Sequence, residues 1–184
     1  MNHAFMQTVA VKLAAVKIAT LRYQFPYMEA GSRRPDRPAV CHAVVRAAVA
    51  TARRKLPKIP LIAGGKSFGG RMTSQAQALE PLAGVVGLAF FGFPWHQPKA
   101  PSAKRSEHLD AVRVPMLFLQ GARDALGEPK LVKAQIRKRS GFSTLHSVPD
   151  ADHAFHVPVK SGRTDSQVQD DMVRRFAGWV GEIT

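Results

Sequence analysis

One cysteine, Cys41, stands among 184 residues, so no internal disulfide can form and no thiolate metal site can be assembled. That suits a reducing compartment, and the cytoplasm is the expected location. Long apolar runs are missing as well. The longest weakly charged stretch, residues 79 to 94, is too short and too rich in Gly and Pro to cross a bilayer. The first eighteen residues, interrupted by Lys12 and Lys17, lack the compact apolar core and cleavage site of a signal peptide. Acidic residues are scarce, 13 against 27 Lys and Arg, which leaves a formal net charge of +14. A polyanion partner would account for such a charge. The basic residues, however, are scattered as "RRPDR", "ARRKLPK", "KAQIRKR" and "VRR", without the interleaved aromatic residues of a nucleic-acid groove. A solvated surface is therefore expected, with neither nucleic acid nor membrane as partner.

What is present is an alternation of short apolar runs with helical patterns, the signature of a parallel sheet wrapped by helices. Phe5, Val9, Leu13 and Val16 repeat at helical spacing within residues 3 to 16. Residues 18 to 25, "IATLRYQF", read as a strand closed by Pro26. A helix over 39 to 55 is expected to bury Val40, Val44, Ala48 and Ala52, with Arg53, Arg54 and Lys55 complementing the dipole of its last turn. Further strands are expected at 59 to 65, 84 to 92, 114 to 121 and 142 to 148, and helices at 69 to 79, 128 to 139 and 165 to 180. Asp165 or Ser166 is expected to cap the last helix. The total is five strands and about five helices in one α/β domain of 184 residues. A chain of this length buries roughly 70% of the surface that its unfolded form exposes.

Gly65-Lys66-Ser67-Phe68-Gly69 fits G-x-S-x-G, placed after a buried strand and before a helix. A sharp strand-to-helix turn holds the serine oxygen clear of the sheet. It also leaves the N–H of Phe68 free to donate to a developing oxyanion. The flanking positions are expected to require glycine, because a Cβ there would collide with the adjoining strand and helix. The spacing fits neither a P-loop nor G-x-G-x-x-G. A serine nucleophile needs a base and an orienter for that base. Asp124 follows the strand "MLFLQG", and His153 follows "FSTLHSV", each on a loop beyond the carboxyl end of its strand. The order Ser67, Asp124, His153 is that of a hydrolase triad. His156 is a second, less favoured candidate for the base, and Asp110, Asp150 and Asp152 are expected at the surface. Trp95 and His96, in "FPWHQP", overhang the same face and are candidate substrate contacts; a loop histidine beside a packed Trp is the alternative. No metal site is expected, since "DADHAFH" would need ligands from elsewhere and no H-E-x-x-H helix exists. No cofactor is expected either.

Together "RYQFPYMEAGSRRPDRP", "GGKSFGGRM", "FFGFPWHQP", "LQGARDALG" and "DADHAFH" resemble the small, lidless α/β-hydrolases related to dienelactone hydrolase, along nearly the whole chain. The same family includes a hydrolase-like domain in a subunit of a histone acetyltransferase complex. The resemblance implies an α/β-hydrolase fold, with Ser67 as nucleophile, Asp124 as acid, His153 as base and the Phe68 N–H as half of the oxyanion hole. It also implies a small ester-type substrate; a non-catalytic interaction domain is the alternative. Members begin with further strands, one ending in an H-G-x-G-like turn that supplies the second oxyanion donor. Here Met1 falls within what would be the following helix, so the chain reads as short at its N-terminus relative to the family.

Overall fold

The computed structural model describes residues 3–184. Four strands, β1 (Leu61–Lys66), β2 (Val85–Phe91), β3 (Met116–Gly121) and β4 (Ser143–Val148), form one parallel sheet in the order β1-β2-β3-β4. Helices α1 (Ala4–Ala15), α2 (Pro26–Glu29), α3 (Pro38–Lys55), α4 (Phe68–Leu79), α5 (Pro129–Lys138) and α6 (Asp165–Ile183) surround it. A 3-10 helix, Lys104–Ala111, lies between β2 and β3.

Parallel strands covered on both faces read as continuous apolar runs, which is why β2 and β3 are legible in the sequence. Their side chains alternate between two cores. Leu88, Phe90, Met116 and Phe118 pack with α3 and α4, on the face that also holds Cys41, Val45 and Met72. Ala89, Phe91, Leu117 and Leu119 pack on the other face against Val9 and Leu13 of α1 and Val168, Met172 and Phe176 of α6.

Three expectations are corrected. Residues 18 to 25 form no strand, so the sheet has four strands and not five. The segment instead runs along the far wall of a cavity of about 590 Å³ that opens beside the free edge of β1, where no neighbouring strand offers it a ladder. Its aromatic residues are held by packing, Tyr23 edge-on to Phe25 and Phe25 edge-on to Phe68. In α3 the buried face is Cys41, Val45 and Val49, one residue round from the expected stripe, and Val40 is exposed. Two apolar stripes run side by side there, and the bulkier one turns inward. The cap of α6 is Thr164, which forms a reciprocal capping box with Gln167.

The four strands share one direction, so their carboxyl ends lie along one rim. Open α/β sheets carry their sites on that rim.

Candidate active site

Ser67 follows β1 and caps α4 with φ 49° and ψ −115°, a left-handed conformation that L-residues rarely adopt. The turn is tight because β1 and β2 approach at Gly64, where a Cβ would fall 1.8 Å from the carbonyl oxygen of Ala89. A Cβ on Gly70 would come within 2.8 Å of the Gly65 oxygen, whereas nothing lies within 4 Å of one on Gly69. The expectation that both motif glycines are sterically required is thus corrected: the constraint lies at Gly64, Gly65 and Gly70.

The three sequence-picked side chains come together. His153 Nε2 is 2.8 Å from Ser67 Oγ, and His153 Nδ1 is 2.7 Å from Asp124 Oδ2. The Asp124 side chain is fully buried, and that of His153 is 28% exposed. Asp124 is satisfied on every side: Oδ2 also accepts from Gln120 Nε2 at 2.6 Å, and Oδ1 accepts from the backbone N–H of Leu126 at 2.7 Å. Such a carboxylate fixes the tautomer of the imidazole it holds. The N–H of Phe68 is in the first turn of α4, where backbone donors have no intrahelical partner.

His153 rides on a loop that folds on itself. Asp152, half-buried rather than at the surface, accepts from the N–H groups of Ala154 at 2.8 Å and His156 at 2.9 Å. His156 points away and pairs with Asp165 at 2.8 Å, a contact that raises its pKa. It takes no part in the chain of contacts at Ser67.

Trp95 and His96 are not open to substrate, and this corrects the expectation. Trp95 is 1% and His96 3% exposed. Trp95 Nε1 donates to Gln120 Oε1 at 3.1 Å. His96 Nε2 accepts from the N–H of Glu128 at 2.8 Å, so its Nδ1 is the protonated nitrogen and donates to the Gln97 carbonyl at 2.7 Å. Both residues support the loop beyond β3 from beneath.

Two residues were missed. Gln120 links Trp95 to Asp124, and its signal was a lone amide near the end of an otherwise apolar strand. Lys66 donates through Nζ to the carbonyl of His153, and this ammonium also lies 5.2 Å from the centre of the Phe155 ring and 5.6 Å from that of Phe5. Burial lowers its pKa to about 8, against the opposing pull of Asp124 and Asp152. Its neighbour in sequence is Ser67, but nothing local announces a contact 87 positions away.

The comparisons agree with this fold. Over 95% of the chain and 77% of the matched one, the fold superposes on an alpha-beta serine hydrolase homologue from Coxiella burnetii (TM-score 0.73, 20% identity). It matches a serine hydrolase without a lid from Xanthomonas campestris over 96% and 75%, with TM-score 0.68 and 22% identity. An esterase domain from a Rhodothermus marinus protein is similar over 95% and 79%, with TM-score 0.68 and 15% identity. Residues 1–181 match the family model described as an alpha/beta hydrolase domain, and the chain belongs to that family.

Proposed function

We propose that the protein is a serine hydrolase that cleaves a small ester or thioester through an acyl-enzyme. The observation that carries this reading is the unbroken chain from Ser67 Oγ through His153 to a fully buried Asp124, with both links under 3 Å. A hydroxyl is a weak nucleophile until a base takes its proton as the bond to carbon forms.

His153 Nε2 accepts the Ser67 proton while Oγ attacks the acyl carbon, and the carbonyl π electrons move onto oxygen. The Phe68 N–H donates to that oxyanion. Asp124 stabilises the imidazolium through Nδ1 and does not itself take the proton. Collapse of the tetrahedral intermediate expels the alcohol or thiol, which leaves with the proton from Nε2. Water then enters, His153 deprotonates it, and the acyl-enzyme is cleaved by the same steps in reverse order. No long insertion separates the strands over the site, which favours small soluble acyl groups over long lipids.

Reaction with a fluorophosphonate probe tests the reading. Labelling confined to Ser67, and lost in S67A and H153A, is expected; a folded protein that stays unlabelled would overturn it.

A further inference from the structure

β1 has a single neighbour, β2, and its other edge lies open along the cavity of about 590 Å³. The Ser67 N–H donates to the Phe91 carbonyl at 3.2 Å. Main-chain groups alternate between the two edges of a strand, so the N–H groups of Ile62 and Gly64 face the cavity. Residues 19 to 23 form the opposite wall, and among the described residues none of their N–H or C=O groups bonds to another backbone group. Two rows of peptide groups without backbone partners thus flank one slot, an unfavourable arrangement wherever water is excluded.

The remaining walls are apolar. Val45 and Val49 of α3 belong to the core on one face of the sheet, and Val9, Leu13 and Phe176 of α1 and α6 to the core on the other; all five line the cavity. The slot therefore has helices on both faces, like the space that β2 and β3 fill, and strands in such a place are apolar throughout. Open sheet edges are ordinarily guarded by charge, proline or a covering element. Residues 61 to 65 of β1 carry no charge and no Pro.

The rim has one sign of charge. Lys17, Arg22 and Lys55 line the cavity, no Asp or Glu lines it, and among the described residues none of the three cations is in an ion pair. A fatty acyl chain would suit the apolar walls and the cations but leave both rows of peptide groups unbonded. An extended polypeptide answers to all three features.

We propose that this slot takes up one β-strand from another polypeptide, an uninterrupted apolar segment with acidic residues at its ends, which adds to the free edge of β1. Main-chain bonds to both walls supply the affinity in such strand addition, and side-chain pockets supply the selectivity. β1 has six residues, so the segment is of that length, roughly 20 Å. Its binding braces the strand that leads into Ser67, and the inference stands whether or not Ser67 is a nucleophile.

The probe is a capped peptide with a run of Val and Ile as long as β1 between paired Glu residues. Native-state hydrogen exchange is followed on the full chain with and without it. With free peptide at about a hundred times its Kd, exchange in β1 and in residues 19 to 23 is expected to slow about a hundredfold, with little change at β4 on the opposite edge. The same peptide N-methylated at alternate residues keeps its apolar surface and loses donors, and should bind at least tenfold more weakly. A48W, which fills the slot from α3, should abolish the protection. Should A48W fail to fold, R22E is expected to weaken binding about two- to fivefold, as for a rim ion pair. Equal protection by the N-methylated peptide or by laurate would show a pocket for apolar ligands and overturn the proposal. So would a dimer, seen by sedimentation without peptide, in which β1 is already protected, or a β1 whose exchange the peptide leaves unchanged.

Discussion

Lys66 donates its ammonium to the backbone carbonyl of His153, so the residue before the serine holds the main chain of the residue that faces the serine. Replacing Lys66 by Met keeps the length and apolar stem but removes this charge-assisted bond, worth about 1.5–3 kcal/mol. K66M is expected to lose about ten- to a hundredfold in kcat on p-nitrophenyl acetate with little change in KM. Because the Lys66 pKa is lowered to about 8, wild-type activity should decline as pH rises through 8 and the positive charge is lost. The variant should lack that limb; an identical alkaline limb in both proteins would refute the assignment.

Gln120 serves two buried partners at once, Asp124 and Trp95. Q120L leaves the indole N–H unpaired and takes a donor from the carboxylate, and an orphaned buried group costs about 1–3 kcal/mol. At about 2–4 °C per kcal/mol for a chain of this size, calorimetry should show Tm lower by roughly 2–12 °C. A Tm within a degree of wild type would show that water replaces the amide.

Gly64 and Gly69 look alike in the motif but meet different surroundings. G64A puts a methyl 1.8 Å from the Ala89 oxygen, and relief requires β1 and β2 to part. That variant is expected to be insoluble or unfolded. G69A places a methyl where nothing lies within 4 Å, on a helical position, and should be neutral or stabilise by about 0.5 kcal/mol. Chemical denaturation of the pair checks both, and equal tolerance would contradict the close approach.

His108 is held neutral: burial, with Arg71, Arg139 and His42, lowers its pKa from 6.5 to about 4. Between pH 6.5 and about 4 the unfolded chain binds a proton there that the folded one does not, so stability falls on acidification across that window. The contribution, at most roughly 3 kcal/mol, is fully present above pH 6.5. H108Q keeps a polar partner for Ser74 and cannot titrate. Urea unfolding at pH 4.5 and 7 should therefore show a smaller difference for H108Q than for wild type.

The contacts of Ser67, His153 and Asp124 were legible because hydrolase chemistry ties residue type to place. Asp124 and His153 each follow an apolar strand in the required order, and burial on both faces makes those strands plain. The segment 18 to 25 was not legible, because its pattern of Ile, Leu, Tyr and Phe is satisfied equally by a ladder or by aromatic packing against Phe68. Trp95 and His96 misled because a loop histidine next to a strand end carries no sign of whether its nitrogens are already engaged. Gly69 misled because a motif records which residue stands at a position and not what a side chain there would touch.

The strand that carries Ser67 is paired on one side only, with the cavity along its other edge. Its amides therefore have fewer routes to protection than those of β2 and β3, which are flanked on both sides. Native-state hydrogen exchange should find β1 opening before the rest of the sheet. The segment that holds the strained serine then belongs to the first part of the molecule to give way on heating, and reactivity should vanish at a temperature where most of the secondary structure persists.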